Sequence, residues 1–144
     1  MGQKDVYRFW AIFDYADDGI SVEFPDLPGC LTCGDTADEA YEMAKDALKL
    51  HLWGMEKDND EIPEPSTLHD IINTLEKNQT LVDIQVYMPP FRDAMETRAI
   101  KKTLTIPKWL NDLAEKEKIN FSHVLQSALK QSLGLSDHRA VTKK

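Results

Sequence analysis

The sequence predicts an α+β protein in two parts, a sheet-and-helix domain followed by a separate strand–helix–helix module. The first part places stretches of strand-like alternation on both sides of one long amphipathic helix. In the last third of the chain, the spacing of the apolar residues changes for a second time from strand-like alternation to helical periodicity. We therefore expect domains at residues 1–88 and 98–135, a linker at residues 89–97 and a basic tail at residues 136–144.

Three strands are expected at the start of the chain. Residues 6–15 are dense in aromatic and β-branched residues, and both faces of this strand carry apolar side chains. Asp-Asp-Gly at residues 17–19 is a hairpin signal, because Asp-Gly tolerates the positive φ angles of tight turns. Residues 20–24 alternate apolar and polar side chains, and residues 30–34 form a short third strand.

A helical layer and a closing strand complete the N-terminal part. Thr36 and Glu39 form a capping box for a long helix whose apolar stripe is suited to lying across a sheet. The acidic, proline-containing residues 58–66 are expected to form a loop. A shorter helix near residues 68–75 and a strand at residues 81–88 follow, so the predicted order is β-β-β-α-(α)-β.

The C-terminal module begins with alternation before Pro107, which ends the strand and can start a helix. Asn120 is a suitable N-cap for a second helix, and Gly134 ends that helix. A single strand leaves both of its edges unpaired, and so small a unit buries too little apolar surface to fold alone. The simplest solution is a second copy, with two strands paired antiparallel across a twofold axis.

Charge also separates the two parts. Residues 98–144 contain 10 Lys and Arg against 4 Asp and Glu, a net charge of +6, whereas residues 1–97 carry −14. A basic module with a polar strand face favours DNA binding over a simple dimerisation tail. The acidic excess of the first part serves solubility, or it suits a basic partner.

The C-terminal stretch RAIKKTLTIPKWLNDLAEKEKINFSHVLQSALKQSLGL closely resembles the ribbon-helix-helix family of DNA-binding proteins over residues 101–133. In that family the paired strands enter the major groove of DNA. The resemblance implies that three outward strand residues read base edges: Lys101, Thr103 and Thr105. It also implies that free N–H groups at the start of the second helix hold a backbone phosphate: those near Asn120, Phe121 and Ser122.

The N-terminal part resembles the HicB antitoxin family over about residues 7–88. The resemblance is carried by the hairpin YRFWAIFDYADDG at residues 7–19, by FPDLPGCLTCGDTADEAYEMAKDAL at residues 24–48 and by IPEPS at residues 62–66. It implies a partial ribonuclease-H-like fold without nuclease activity, and a HicA-like toxin, a small mRNA-cleaving ribonuclease, as partner. HicB proteins often carry a C-terminal ribbon-helix-helix domain, so the two resemblances agree.

The resemblance implies an antitoxin that occludes its toxin and represses its own operon as a dimer. Five candidates for the toxin surface combine acidic and aromatic side chains: Trp10, Asp17, Asp18, Glu23 and Trp53. Ordinary packing of both tryptophans is the alternative interpretation. A ligand- or metal-responsive repressor without a toxin is the alternative function.

Neither enzyme activity nor a metal site is predicted. Cys30 and Cys33 match the C-x-x-C spacing of zinc and redox sites, but residues three apart in a strand point to opposite faces. Four carboxylates lie in or beside the predicted strands: Asp14, Glu23, Asp26 and Asp35. Their spacing specifies no two-metal nuclease site. No apolar run reaches the roughly 18 residues of a membrane span and no signal-peptide pattern is present, so a cytoplasmic location is expected.

Overall fold

The computed structural model describes residues 3–135 and divides the chain into two compact units, with the boundary between Ala99 and Ile100. The first unit contains β1 (Val6–Ala16), β2 (Gly19–Glu23), β3 (Leu31–Gly34), α1 (Ala37–Lys57), α2 (Leu68–Ile72), β4 (Gln79–Tyr87) and α3 (Pro89–Thr97). The second unit contains α4 (Lys108–Lys116) and α5 (Phe121–Ser132). The predicted basic tail, residues 136–144, lies outside the described residues.

The strands of the first unit form one antiparallel sheet in the order β3-β2-β1-β4. β1 is the longest strand and lies between two partners of unequal extent. It pairs with β4 from Val6 to Asp14, but with β2 only from Ile12 to Ala16. The predicted α+β class is confirmed, and the sheet is wholly antiparallel.

The core of the first unit lies between one face of the sheet and α1. Tyr7, Phe9, Ala11 and Phe13 point from β1 to this inner face, and all four are buried. α1 contributes Ala40, Ala44, Leu48 and Leu52, which are fully buried at helical spacing. The alternation of β1 and the stripe of α1 therefore predicted the two halves of the core.

Local signals fix both ends of α1. The hydroxyl oxygen of Thr36 accepts the N–H of Glu39 at 3.1 Å, as the capping box predicts. The Glu39 carboxylate accepts the N–H of Asp35 at 2.7 Å, one residue before the N-cap. At the other end Asn59 has φ +59°, and the next N–H donates to the carbonyl of Met55 at 2.9 Å. This is a Schellman ending with Asn in the left-handed position.

Residues 89–97, interpreted from the sequence as a linker, form helix α3 instead. Pro89 and Pro90 occupy the first positions of this helix, where the missing N–H groups cost nothing. Phe91 packs against the core cluster, and Lys57 of α1 forms an ion pair with Glu96. The pair of prolines that suggested a linker thus marks a helix start that belongs to the first unit.

A nearly buried ion pair joins α3 to α1. The Arg92 guanidinium donates to both carboxylate oxygens of Glu56, at 3.0 and 2.7 Å, and also to the carbonyl of Lys4. The hydroxyl of Tyr7 donates to the same carboxylate at 3.2 Å. The Glu56 side chain is 4% exposed and that of Arg92 18%. Burial, and the neighbouring Glu56 carboxylate, raise the pKa of Tyr7, so its hydroxyl stays a donor at neutral pH.

The second unit has no buried residue among residues 100–135, and of its two helices α5 has a side-chain N-cap. The Asn120 side chain accepts the N–H of His123 at 3.0 Å, which confirms it as the N-cap of α5. Gly134 has φ +72° and follows Leu133, the C-cap of α5, so the helix ends at a glycine as predicted. Pro107 precedes α4 as its N-cap and is not its first helical residue.

The strand expected before Pro107 is assigned neither as helix nor as strand. A strand is recognised by its ladder hydrogen bonds, and the pairing predicted here requires a second copy of the chain. The strand therefore stays a prediction. Within residues 3–135, no helix is both long and apolar enough to cross a membrane.

Replacing Arg92 by Ala should destabilise the protein by about 3 kcal/mol, because Glu56 would remain buried without its counter-ion. Urea unfolding followed by circular dichroism measures this change. The matched control is Arg8→Ala, which removes an ion pair of 2.6 Å between half-exposed side chains of Arg8 and Asp83 and should change the unfolding free energy far less. Equal losses from the two arginines would show that the Glu56 pair does not anchor α3.

Candidate functional site

A chain of hydrogen bonds connects three sequence motifs on the outer face of the sheet, the face away from α1. The indole N–H of Trp10 donates to the carbonyl of Ser66 at 3.1 Å. The backbone N–H and hydroxyl of Ser66 both donate to the carboxylate of Asp26, at 2.8 and 2.5 Å. The contacts tie the Pro-Asp-Leu-Pro turn and the Pro-Glu-Pro loop to β1, so these motifs hold one another in place.

The five candidate toxin-surface residues do not form one cluster. Trp10 and Glu23 lie on the outer face of the sheet. Trp10 alternates along β1 with the buried inner residues, and Glu23 is paired with Ile12, which is also an outer-face residue of β1. Asp17 and Asp18 form the exposed hairpin loop at the end of that sheet. Trp53 lies on α1, is partly buried against the core, and carries the Lys57 ammonium 5.5 Å from its ring centroid. Trp10 and Glu23 therefore share a face near the middle of β1, whereas Asp17 and Asp18 lie apart from them at the hairpin turn.

Of the four carboxylates in or beside the strands, two form hydrogen bonds within the fold and two are exposed. Asp14 accepts the side-chain amide of Gln79 at 3.0 Å, and Asp26 holds Ser66. Glu23 and Asp35 are exposed. Among residues 3–135, no group of three or more His, Cys, Asp or Glu side chains is placed to hold a metal ion.

The two cysteines lie in different environments. Cys30 is buried and its Sγ lies 3.7 Å from the carbonyl oxygen of Ala47, whereas Cys33 is exposed. Burial raises the pKa of the Cys30 thiol to about 11, which leaves it protonated and unreactive at neutral pH. The opposite orientation predicted for the C-x-x-C pair is therefore observed.

A cleft of about 890 Å³ lies beside the first half of β1, and sequence reasoning did not find it. Residues 3–9 form one wall and residues 59–65 the other. The lining includes Lys4 and Arg8, and on the opposite wall Asp60, Glu61 and Glu64. The prolines at positions 63 and 65 were the signal in the sequence, since they favour an irregular loop over a strand.

The second unit exposes both sets of residues assigned to DNA. Three outward residues precede α4, and all are exposed: Lys101, Thr103 and Thr105. At the start of α5, Asn120 caps the N–H of His123, and among the described residues no hydrogen bond uses the N–H of Phe121 or Ser122. Those two N–H groups remain able to contact an anion.

Comparison with known proteins covers both units. A family model described as HicB-like antitoxin of bacterial toxin–antitoxin systems matches residues 10–129. An uncharacterised 14.9 kDa protein of Haemophilus phage HP1 is 34% identical over 97 residues, which is 65% of this chain and 68% of that protein. Antitoxin HicB 2 of Photorhabdus laumondii is 45% identical over 60 residues, which is 42% of this chain and 43% of the relative.

The fold is similar to that in a solved toxin–antitoxin complex from Streptococcus pneumoniae. The TM-score is 0.54 at 25% identity, over 88% of this chain and 99% of the other. The family match includes the outer-face motifs, α1 and most of the second unit. The chain therefore belongs to the family of HicB-like antitoxins of bacterial toxin–antitoxin systems.

Proposed function

We propose that the chain is the antitoxin of a type II toxin–antitoxin pair with two separate tasks. The first unit binds and occludes a HicA-like mRNA-cleaving ribonuclease, and the second represses the operon that encodes both proteins. The family match over residues 10–129 is the observation that carries this proposal. The first unit would correspond to the partial ribonuclease-H-like fold that the family resemblance implies.

The charge of the first unit supports a basic partner. Residues 1–97 carry a net charge of −14, and the hairpin loop and the walls of the cleft beside β1 both expose carboxylates. A ribonuclease must bind polyanionic RNA and is therefore expected to present a basic surface. Opposite charges would accelerate association and favour toxin over other proteins.

The exposed apolar residues of the second unit support a dimer of the ribbon-helix-helix type. Large apolar side chains on α4 and α5 lie at helical spacing, and all are exposed in the single chain: Trp109, Leu110, Leu113, Phe121, Val124 and Leu129. Leu104 and Ile106 alternate with polar residues in the segment before α4 and are also exposed. A second copy would bury these residues and pair the two segments as strands.

The same dimer would place a basic, polar strand pair where it can enter the major groove. Lys101, Thr103 and Thr105 would face the base edges, whereas the N–H groups of Phe121 and Ser122 would contact phosphate. The net charge of +6 over residues 98–144 supports this assignment, because non-specific DNA affinity comes from displaced counterions.

Leu104→Glu should convert the dimer to a monomer, because it places a charge in the proposed interface. The matched control is Thr103→Glu, the same new charge on the opposite side of the segment, which should leave the dimer intact. Sedimentation velocity at micromolar concentration distinguishes the two outcomes. A full-length chain that is already monomeric at this concentration would contradict the proposal.

Residues 1–99 should neutralise the toxin without the second unit, because they hold a complete core that includes α3. Co-expression of this fragment with the ribonuclease encoded by the adjacent reading frame should restore growth. Circular dichroism of the purified fragment is the control for folding. If a folded fragment fails and only the full chain rescues growth, toxin binding is not a property of the first unit alone.

Thr103→Ala or Thr105→Ala should cost about 1–3 kcal/mol in binding to the operator and much less on scrambled DNA. Ser122→Ala is the comparison variant and should weaken binding to both duplexes alike, since a phosphate carries no base identity. Gel-shift titrations at two salt concentrations measure these effects, and affinity should fall steeply with salt. An unchanged operator preference in both threonine variants would exclude the strand as the reading element.

A further inference from the structure

One edge of β1 is unpaired over the first half of the strand. β2 pairs with β1 only from Ile12 to Ala16, and the chain then turns away at Phe24. β4 covers the opposite edge of β1 from Val6 to Asp14. The segment from Val6 to Ala11 therefore has a neighbouring strand on one side only.

The backbone groups that face this open edge can be identified from the ladder. The N–H of Tyr15 donates to the carbonyl of Asn78 at 2.9 Å, and the carbonyl of Asp5 accepts the N–H of Met88 at 2.8 Å. Odd-numbered residues of β1 thus face β4. Because successive residues of a strand direct their N–H and C=O groups to opposite edges, Val6 and Arg8 direct theirs to the open side.

These groups have no hydrogen-bonding partner in the part of the chain that the structure describes. No hydrogen bond outside the strand ladders reaches the backbone N–H or C=O of Val6 or Arg8. The loop on the other side of the 890 Å³ cleft forms no backbone hydrogen bond with either residue. Two donors and two acceptors thus face a cleft of the size that binds ligands.

The charge of the cleft selects the kind of segment that would enter it. Asp60 and Glu61 are exposed, and neither forms an ion pair within residues 3–135. The two basic side chains of the lining are already engaged, Lys4 by Glu64 at 3.3 Å and Arg8 by Asp83 at 2.6 Å. The cleft is therefore complementary to Lys or Arg side chains.

We propose that this cleft binds an extended segment of a basic partner, which adds to the sheet as a further strand beside Val6 and Arg8. Main-chain hydrogen bonds to these two residues would fix the segment, and its Lys or Arg side chains would contact Asp60 and Glu61. A second copy of the first unit is disfavoured because each copy carries a net charge of −14 over residues 1–97. The inference rests on the proposed function, in which the partner is the toxin.

Amide hydrogen exchange by NMR on the full-length chain tests the pairing directly. In the free protein the amides of Val6 and Arg8 should exchange rapidly, and those of Tyr7 and Phe9 slowly, because only the latter face β4. In the complex with the toxin of the adjacent reading frame, exchange at Val6 and Arg8 should slow by at least about tenfold. Exchange at Tyr7 and Phe9 is the internal control.

Val6→Pro removes one N–H from the open edge and leaves the β1–β4 ladder intact. Toxin affinity should fall by about tenfold relative to Val6→Ala, which keeps the N–H and is the matched control. Glu61→Gln should weaken binding most at low salt, whereas Glu76→Gln, an exposed carboxylate outside the cleft, should not. Isothermal titration calorimetry measures all four variants.

The outcomes separate this inference from the function on which it rests. If the toxin binds, but Val6 and Arg8 stay unprotected and Val6→Pro matches Val6→Ala, the strand addition is wrong and the antitoxin function stands. If the toxin does not bind, the proposed function fails, and a capped peptide Lys-Val-Lys-Val-Lys tests the cleft alone. If the cleft binds extended basic segments, this peptide should shift the amide resonances of Val6 and Arg8, and its alternately N-methylated form should not. The absence of such shifts would overturn the inference.

Discussion

The close approach of β3 to the start of α1 is the constraint on which the first unit depends. A Cβ atom on Gly34 would lie 2.6 Å from the backbone nitrogen of Ala40, so only glycine lets the strand pass this close to the helix. Ala40 and Ala44 are fully buried and keep the helix near the sheet. α1 is thereby fixed across the inner face, and the loop that follows its C-terminus is carried past the first half of β1.

The end of α1 also determines where the first unit stops. Glu56 is buried by its position on the last turn, and a buried carboxylate requires a counter-charge. Arg92 provides it from α3, together with the hydroxyl of Tyr7 from β1. Three elements far apart in sequence are thus joined by one carboxylate, which is why the unit extends beyond β4 to the end of α3.

The two units differ in how much of their apolar surface is buried within a single chain. The first buries a complete core and leaves an acidic surface, so it can present a binding face as a single copy. The second is basic and buries no residue among residues 100–135, so its helices need further apolar surface before they form a stable unit. This contrast supports the proposal that one unit recognises a protein and that the other dimerises and binds DNA.

The sequence alone determined what depends on local chemistry. The alternation of β1, the capping residues Thr36 and Asn120 and the glycine after α5 are all where the periodicity and capping rules predicted them. The family followed from motifs that hydrogen-bond to one another, such as Asp26 with Ser66. Tertiary structure decided what depends on distant partners, because a local pattern carries no information about which residue arrives beside it.

Three features depended on residues that are distant in the sequence. Pro89-Pro90 indicated a linker, but these prolines begin helix α3, and the ion pair between Arg92 and Glu56 joins that helix to the first unit. Trp53 is a candidate for a binding surface, and its packing against the core buries part of the side chain. The cleft beside β1 exists because β2 is shorter than β1 and a proline-containing loop returns along the open edge. Strand length and loop path are set by packing, and neither has a signature in the residues that line the cleft.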